Sequence, residues 1–176
     1  MTISLPPDAL VLLIGISGSG KTTFASRHFR PTQVLSSDAL RAMIADEPTA
    51  QNATDDAFDL LHRLLEMRLR RGRPTVVDAT NVEEWTRREL VALARRHRRP
   101  VVAIVLDLPF DVLLERNARR ADRPRPRAAL NRQARWLGES LLSLPNEGFD
   151  AVHRLGSAEK VDSVRLDLTD SRGAAH

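Results

Sequence analysis

An unbroken apolar run, Ala9-Leu10-Val11-Leu12-Leu13-Ile14, leads straight into Gly15-Ile16-Ser17-Gly18-Ser19-Gly20-Lys21-Thr22. No other stretch limits the fold so tightly. Six apolar residues without alternation read as a strand covered on both faces, which is the habit of parallel sheets. The segment that follows fits G-x-x-x-x-G-K-[ST] at every fixed position, and Thr22 to Phe29 then carries an amphipathic helical pattern. Strand, glycine loop and helix together form a phosphate cradle. Glycines let successive backbone N–H groups curl around an anion, and the helix N-terminus adds partial positive charge. Gly15, Ser17, Gly18, Ser19, Gly20, Lys21, Thr22 and Thr23 are therefore the candidate residues for a nucleoside triphosphate, ATP or another. Lys21 is expected at the β- and γ-phosphates and the Thr22 hydroxyl on Mg²⁺.

Further strand candidates recur at 33–36, 74–78, 101–107 and 151–155, with helical patterns between them at 38–45, 55–71, 83–98 and 109–121. Such alternation predicts an α/β fold: a five-stranded parallel sheet flanked by helices, with its sites at the strands' carboxyl ends. Phe58, Leu61, Leu64, Leu65 and Leu69 recur at helical spacing, which predicts core packing. One segment breaks the rhythm. Arg116, Arg119, Arg120, Arg123, Arg125 and Arg127 crowd around Pro124 and Pro126. A helix from Pro109 should stop by about Arg123, and another should run from Pro126 to Leu144. This predicts a helical, arginine-rich lid over about 116–145, within one domain spanning 1–169 and followed by a flexible tail at 170–176. Arg116 and Arg120 are the candidates for closing on donor phosphates, while Arg119, Arg125 and Arg127 read as a solvated face.

Three acidic positions stand at strand ends. In Ser36-Ser37-Asp38-Ala39-Leu40-Arg41, Ser37 can cap the helix and Asp38 can complement its dipole. The same placement lets Asp38 take the proton of an acceptor hydroxyl, with Arg41 one turn away for a phosphate. Spacing leaves these two readings even. Asp78, in Asp78-Ala79-Thr80-Asn81, holds the position of a Walker-B acid and a metal contact through water. Thr80 and Asn81 are candidates for capping the next helix or for touching acceptor and phosphate. Asn81 stands where a GTPase switch needs glycine, and no N-K-x-D motif occurs. Asp107 reads as a structural cap.

Composition excludes several chemistries. The 176 residues contain no cysteine, so disulfides, zinc–thiolate sites and thiol nucleophiles are ruled out. The five histidines are dispersed, and no G-x-S-x-G elbow occurs. Net charge is +4, yet the pI is about 10.7, because only Lys21 and Lys160 among 27 basic residues are lysines. Arginine suits phosphate recognition, but codon bias is the better account of the scattered ones. The N-terminus lacks a signal peptide's basic region, and no apolar run approaches membrane-spanning length. A cytoplasmic protein without a membrane partner is expected.

Taken in order, Gly15 to Thr22, S-D-x-x-R at 37–41, D-A-T-N at 78–81 and R-x-x-x-R at 116–120 resemble the 5′-end-healing kinase module of bacterial polynucleotide kinase-phosphatases. The resemblance covers about residues 8–165. It implies an adenylate-kinase-like P-loop NTPase fold and transfer of the ATP γ-phosphate, with Mg²⁺, to a 5′-hydroxyl end of RNA or DNA. It also implies Asp38 as general base, Arg41 near the acceptor's phosphate, and Lys21, Arg116 and Arg120 around the donor phosphates. The phosphatase and ligase modules often fused to this kinase are absent, which leaves separate phosphatase or ligase proteins as possible partners. Thr22 replaces the serine common in the family. A small-molecule kinase on the same scaffold and an ATP-binding regulatory module are the alternative readings.

Overall fold

The computed structural model describes residues 1–119 and 124–168. Its centre is a five-stranded, all-parallel sheet in the order β3-β4-β2-β5-β6. These strands are β2 (Leu10–Ile14), β3 (Val34–Ser36), β4 (Thr75–Asp78), β5 (Val101–Leu106) and β6 (Ala151–Leu155). All five answer to the strands expected from sequence. Every residue of β2, β4 and β5 is buried, because helices cover both faces. The helices are α1 (Lys21–His28), α2 (Ser37–Ala45), α3 (Thr54–Arg70), α4 (Glu84–Arg96), α5 (Phe110–Ala118), α6 (Arg127–Ser143) and α7 (Ala158–Ser163). No helix among the described residues is long and apolar enough to cross a membrane.

Leu61, Leu65 and Leu69 of α3 are wholly buried, as their spacing requires. Phe58 departs from that expectation. It stands one turn nearer the carboxyl edge of the sheet and lines the main cavity. A second, two-stranded parallel sheet was not expected. It joins β1 (Thr2–Leu5) to β7 (Arg165–Leu168), with Ile3 paired to Leu166. Four-residue strands whose apolar positions merely alternate give a weak signal. Ile3 and Leu5 are nonetheless fully buried. The expected tail at 170–176 lies outside the described residues, as do Arg120 and Arg123.

Two expected caps are corrected. Ser36, not Ser37, caps α2, its hydroxyl accepting from Ala39 N at 3.4 Å. Asp107 caps nothing: its carboxylate pairs with Arg154 of β6, whose Nε lies 2.7 Å away, tying two neighbouring strands.

One buried polar network carries α6. Arg87 of α4 is completely enclosed and donates Nε to Glu147 Oε2 at 2.7 Å and Nη2 to Oε1 at 2.5 Å. Its Nη1 serves Asn81 O at 2.8 Å and Ser140 Oγ at 2.9 Å. Ser140 of α6 in turn donates to Val82 O at 2.6 Å, and Ser143 donates to Glu147 Oε1 at 2.6 Å. The loop after β4, α4 and the carboxyl half of α6 thus share one set of hydrogen bonds. Removing one partner leaves an uncompensated buried charge. Glu147→Ala is expected to cost about 3–5 kcal/mol in urea unfolding. The double substitution Arg87→Met with Glu147→Leu should recover part of that loss, and a double variant weaker than Glu147→Ala would contradict this account.

Candidate functional site

The parallel topology brings the carboxyl ends of β2, β3 and β4 to one edge, and a cavity of about 680 Å³ opens there. Its floor is the loop between β2 and α1. Gly15 must be glycine at this point: a β-carbon would meet Leu106 O at 2.8 Å and Ser19 Oγ at 2.7 Å. Gly18 (φ 88°) and Gly20 (φ 96°) take left-handed backbone that L side chains rarely adopt. The first turn of α1 holds no acidic residue, so the positive end of its dipole meets no carboxylate of its own. Lys21 is buried and curls over the loop. Its Nζ donates to Gly15 O at 2.9 Å, Ile16 O at 3.0 Å and Ser19 Oγ at 3.4 Å.

The Thr22 hydroxyl donates to Asp78 Oδ2 at 2.8 Å, joining the start of α1 to the end of β4. Asp78 is buried, and loss of water pushes its carboxyl above the ordinary value of 3.8. The Thr22 hydrogen bond and the Lys21 charge act against that push, while the Asp38 carboxylate adds to it. A hydroxyl and a carboxylate side by side suit Mg²⁺, which binds through few protein oxygens and takes the rest of its shell from phosphates and water. Thr22 and Asp78 are the residues that would hold it, and the metal would neutralise charge on the phosphate oxygens.

Asp38 and Arg41 form an ion pair within the first turns of α2, both lining the cavity. Arg41 is buried and also donates Nε to Pro48 O at 3.0 Å. Its guanidinium is thus occupied in holding Asp38 and the following loop. The half-exposed carboxylate of Asp38 is what the cavity meets.

Of the residues expected from sequence, the cavity wall brings together Ser17, Gly18, Gly20, Lys21, Thr22, Thr23, Asp38, Arg41, Asp78, Thr80 and Arg116. Arg116 of α5 approaches the loop closely, for a β-carbon on Gly20 would lie 3.6 Å from its Nη1. Gly15 and Ser19 lie beneath the wall and shape it. Asn81 is not in the wall. It is buried at φ 48°, and its amide donates to Leu13 O at 2.8 Å, bracing β4 against β2. Neither Thr80 nor Asn81 caps α4, whose N-cap is Glu83. Arg120 lies outside the described residues.

The wall also contains residues that sequence did not single out as cavity groups. Arg125, expected on a solvated face, lines it. Its backbone is gripped by the Asn117 side chain, with Arg125 N to Oδ1 at 2.8 Å and Nδ2 to Arg125 O at 2.9 Å. Gln51, Thr54, Glu83 and Gln133 add to the polar lining and Phe58 to the apolar, beside Val82 and Trp136, the apolar side chains that the sequence offers for contact with a base. Among these, Gln51 sits in a stretch that composition marks as surface loop. Only adjacency to Thr80-Asn81 could have pointed to Glu83.

A family model described as an AAA domain matches residues 10–140. The chain belongs to that family, and its five-stranded parallel sheet flanked by helices is a P-loop kinase-like α/β fold. Among solved structures, a chain of the Pnkp1/Rnl/Hen1 RNA repair complex is similar with a TM-score of 0.67 and 21% identity over 80% of this chain and 47% of that one. A protein of Chloroflexus aurantiacus provisionally described as a kinase gives 0.62 at 18% identity, covering 86% of each chain. A gluconokinase of Sinorhizobium meliloti gives 0.56 at 20%, over 90% of this chain and 87% of that. At these identities the likeness establishes the fold.

The raised Asp78 carboxyl sets a stability test. The folded chain holds this proton to higher pH than the unfolded chain, so stability falls as pH rises from about 3.8 through the raised value. At neutral pH the ionised group is a net cost. Without Mg²⁺, Asp78→Asn is therefore expected to melt above the wild type at pH 7, the gap narrowing on acidification. A variant that melts lower at pH 7 would refute the assignment.

Proposed function

We propose that this protein is an ATP- and Mg²⁺-dependent kinase that transfers the γ-phosphate to a 5′-hydroxyl end of RNA or DNA. The observation that carries the phosphoryl-transfer reading is the placement of Asp38, fixed by Arg41, in the same cavity as the phosphate loop and the Thr22–Asp78 pair. A carboxylate so held can take the proton of a hydroxyl poised in line with the γ-phosphate. Lys21, the loop N–H groups and Arg116 with Arg120 stabilise the charge on the transferring group. Arg41 works chiefly through Asp38, with Thr80 at the acceptor's side of the wall.

Two features favour a polynucleotide end as the acceptor. The motifs at 37–41, 78–81 and 116–120 resemble the end-healing kinases, and one structural neighbour belongs to an RNA repair complex. Phe58, Val82 and Trp136 give the cavity apolar faces against which a nucleobase can lie. The opposing reading, a small-molecule kinase, draws on the gluconokinase likeness and on a cavity of drug-like size. Separate phosphatase or ligase proteins would complete an end-healing sequence.

The test offers labelled ATP with a 5′-hydroxyl oligonucleotide, sugars and nucleosides to the purified chain. Label should pass to the oligonucleotide, and label confined to a sugar or nucleoside would overturn the proposal. Asp38→Ala and Lys21→Ala should nearly abolish transfer without altering the melting transition greatly. Arg120→Lys should also be damaging, since an ammonium cannot reproduce a bidentate phosphate contact.

A further inference from the structure

Gln133 lies two turns into α6, 116 residues from the phosphate loop in sequence, yet its Oε1 accepts Ser17 N–H at 2.9 Å. That bond settles which way the amide faces. A backbone N–H cannot be served by an NH₂ group, so the carbonyl end is held on the loop and Nε2 is directed elsewhere. Gln133 is part of the cavity wall, and its Nε2 has no hydrogen-bond partner among the described residues. The two Nε2 donors of this cavity-wall residue are thus left unengaged among the described residues.

The position along the loop is informative. The peptide unit joining Ile16 to Ser17 gives its C=O to Lys21 Nζ at 3.0 Å and its N–H to Gln133. The ammonium that is to reach the β- and γ-phosphates and the Gln133 amide therefore bracket one peptide group. The helix is also fastened to the core by Ser140 and the Arg87–Glu147 pair at its other end and by buried Leu130 and Leu137.

We infer that Gln133 is a donor-phosphate residue, its Ser17-anchored amide presenting Nε2 to the terminal phosphate of the nucleoside triphosphate. This rests on the phosphotransferase reading and adds a triphosphate-sensing group carried by the lid helix. A neutral amide clamped by a backbone N–H supplies oriented donors with little reorganisation, which is what a developing phosphoryl charge needs.

Gln133→Glu separates the two halves of the side chain. It keeps an acceptor for Ser17 N–H but replaces the donors with an anion. Gln133→Met removes both. Calorimetric titration of the full chain with Mg-ATP and Mg-ADP is the measurement. For Gln133→Glu, ATP affinity should fall at least about tenfold while ADP affinity changes less than about threefold. Gln133→Met should show the same bias more weakly. Wild-type ATP affinity in Gln133→Glu, with loss only in Gln133→Met, would mean a latch and overturn the inference. Equal losses for ATP and ADP would overturn it too. Failure of the wild-type chain to bind either nucleotide would overturn both this inference and the reading beneath it.

Discussion

Strand β2 is flanked by β4 and β5 and buried on both faces, so it cannot shift without unpairing two neighbours. The loop that leaves it inherits that rigidity. Gly15 is wedged under Ser19 and against Leu106 O, and its N–H is held by Thr80 O at 3.0 Å. Every group of the site is referred to this fixed point. Asp78 ends β4 directly beside β3, in the register Ser36 opposite Asp78, and Asp38 lies two residues beyond Ser36 in the first turn of α2. Lys21 and Thr22 begin α1 directly above. Carboxylates and phosphate loop are thus set by backbone pairing, and the side chains need only modest reach.

The other half of the cavity is built differently. The described residues of 110–143 contribute no strand, so backbone pairing does not set where α5 and α6 stand. Leu113, Leu130 and Leu137 pack into the core, and side-chain bonds add to this: Asn117 gripping the backbone of Arg125, Gln133 on Ser17, and Ser140 within the Arg87 network. The last of these is buried and the first two are at the cavity. The carboxyl end of α6 is thus tied through a buried charge, and moving that end would strip the charge of its partner.

That contrast explains how much was legible in the sequence. The five strands of the sheet, the phosphate loop and the positions of Asp38 and Asp78 follow from local pattern, since each lies within a few residues of an apolar run. Asn81 was misplaced because D-A-T-N looks like a cap, while its amide is needed to brace β4 on Leu13, 68 residues away. Gln133 and Arg87 carry no local signature. Each is one polar residue on an amphipathic helix, and only contacts 60 and 116 positions distant give it a task. Phe58 fitted the leucine stripe of α3 by spacing. Which end of a buried stripe opens to a cavity depends on where the sheet's edge falls, and periodicity is silent on that.

Charge is unevenly shared across the cavity, and the asymmetry bears on the proposed reaction. Lys21, Arg27, Arg116 and Arg125 stand on α1 and on the segment 110–127, and the acids on that side, Asp78 and Asp162, are bonded to Thr22 and Arg27. Toward α2 and the start of α4 the wall carries Asp38 and Glu83, and the one cation there, Arg41, is already paired. In the proposed reaction a polyphosphate is drawn to the first side, and its terminal group is the one that an acceptor held at Asp38 would reach. An acceptor reaching that group must present a neutral hydroxyl, because Asp38 would oppose an anion at the point of attack. A 5′-hydroxyl end meets this condition, its nearest phosphate lying a full nucleotide away, whereas a 5′-phosphorylated end does not. In the proposed reaction the Asp38 carboxylate would therefore favour a 5′-hydroxyl end over a 5′-phosphorylated one.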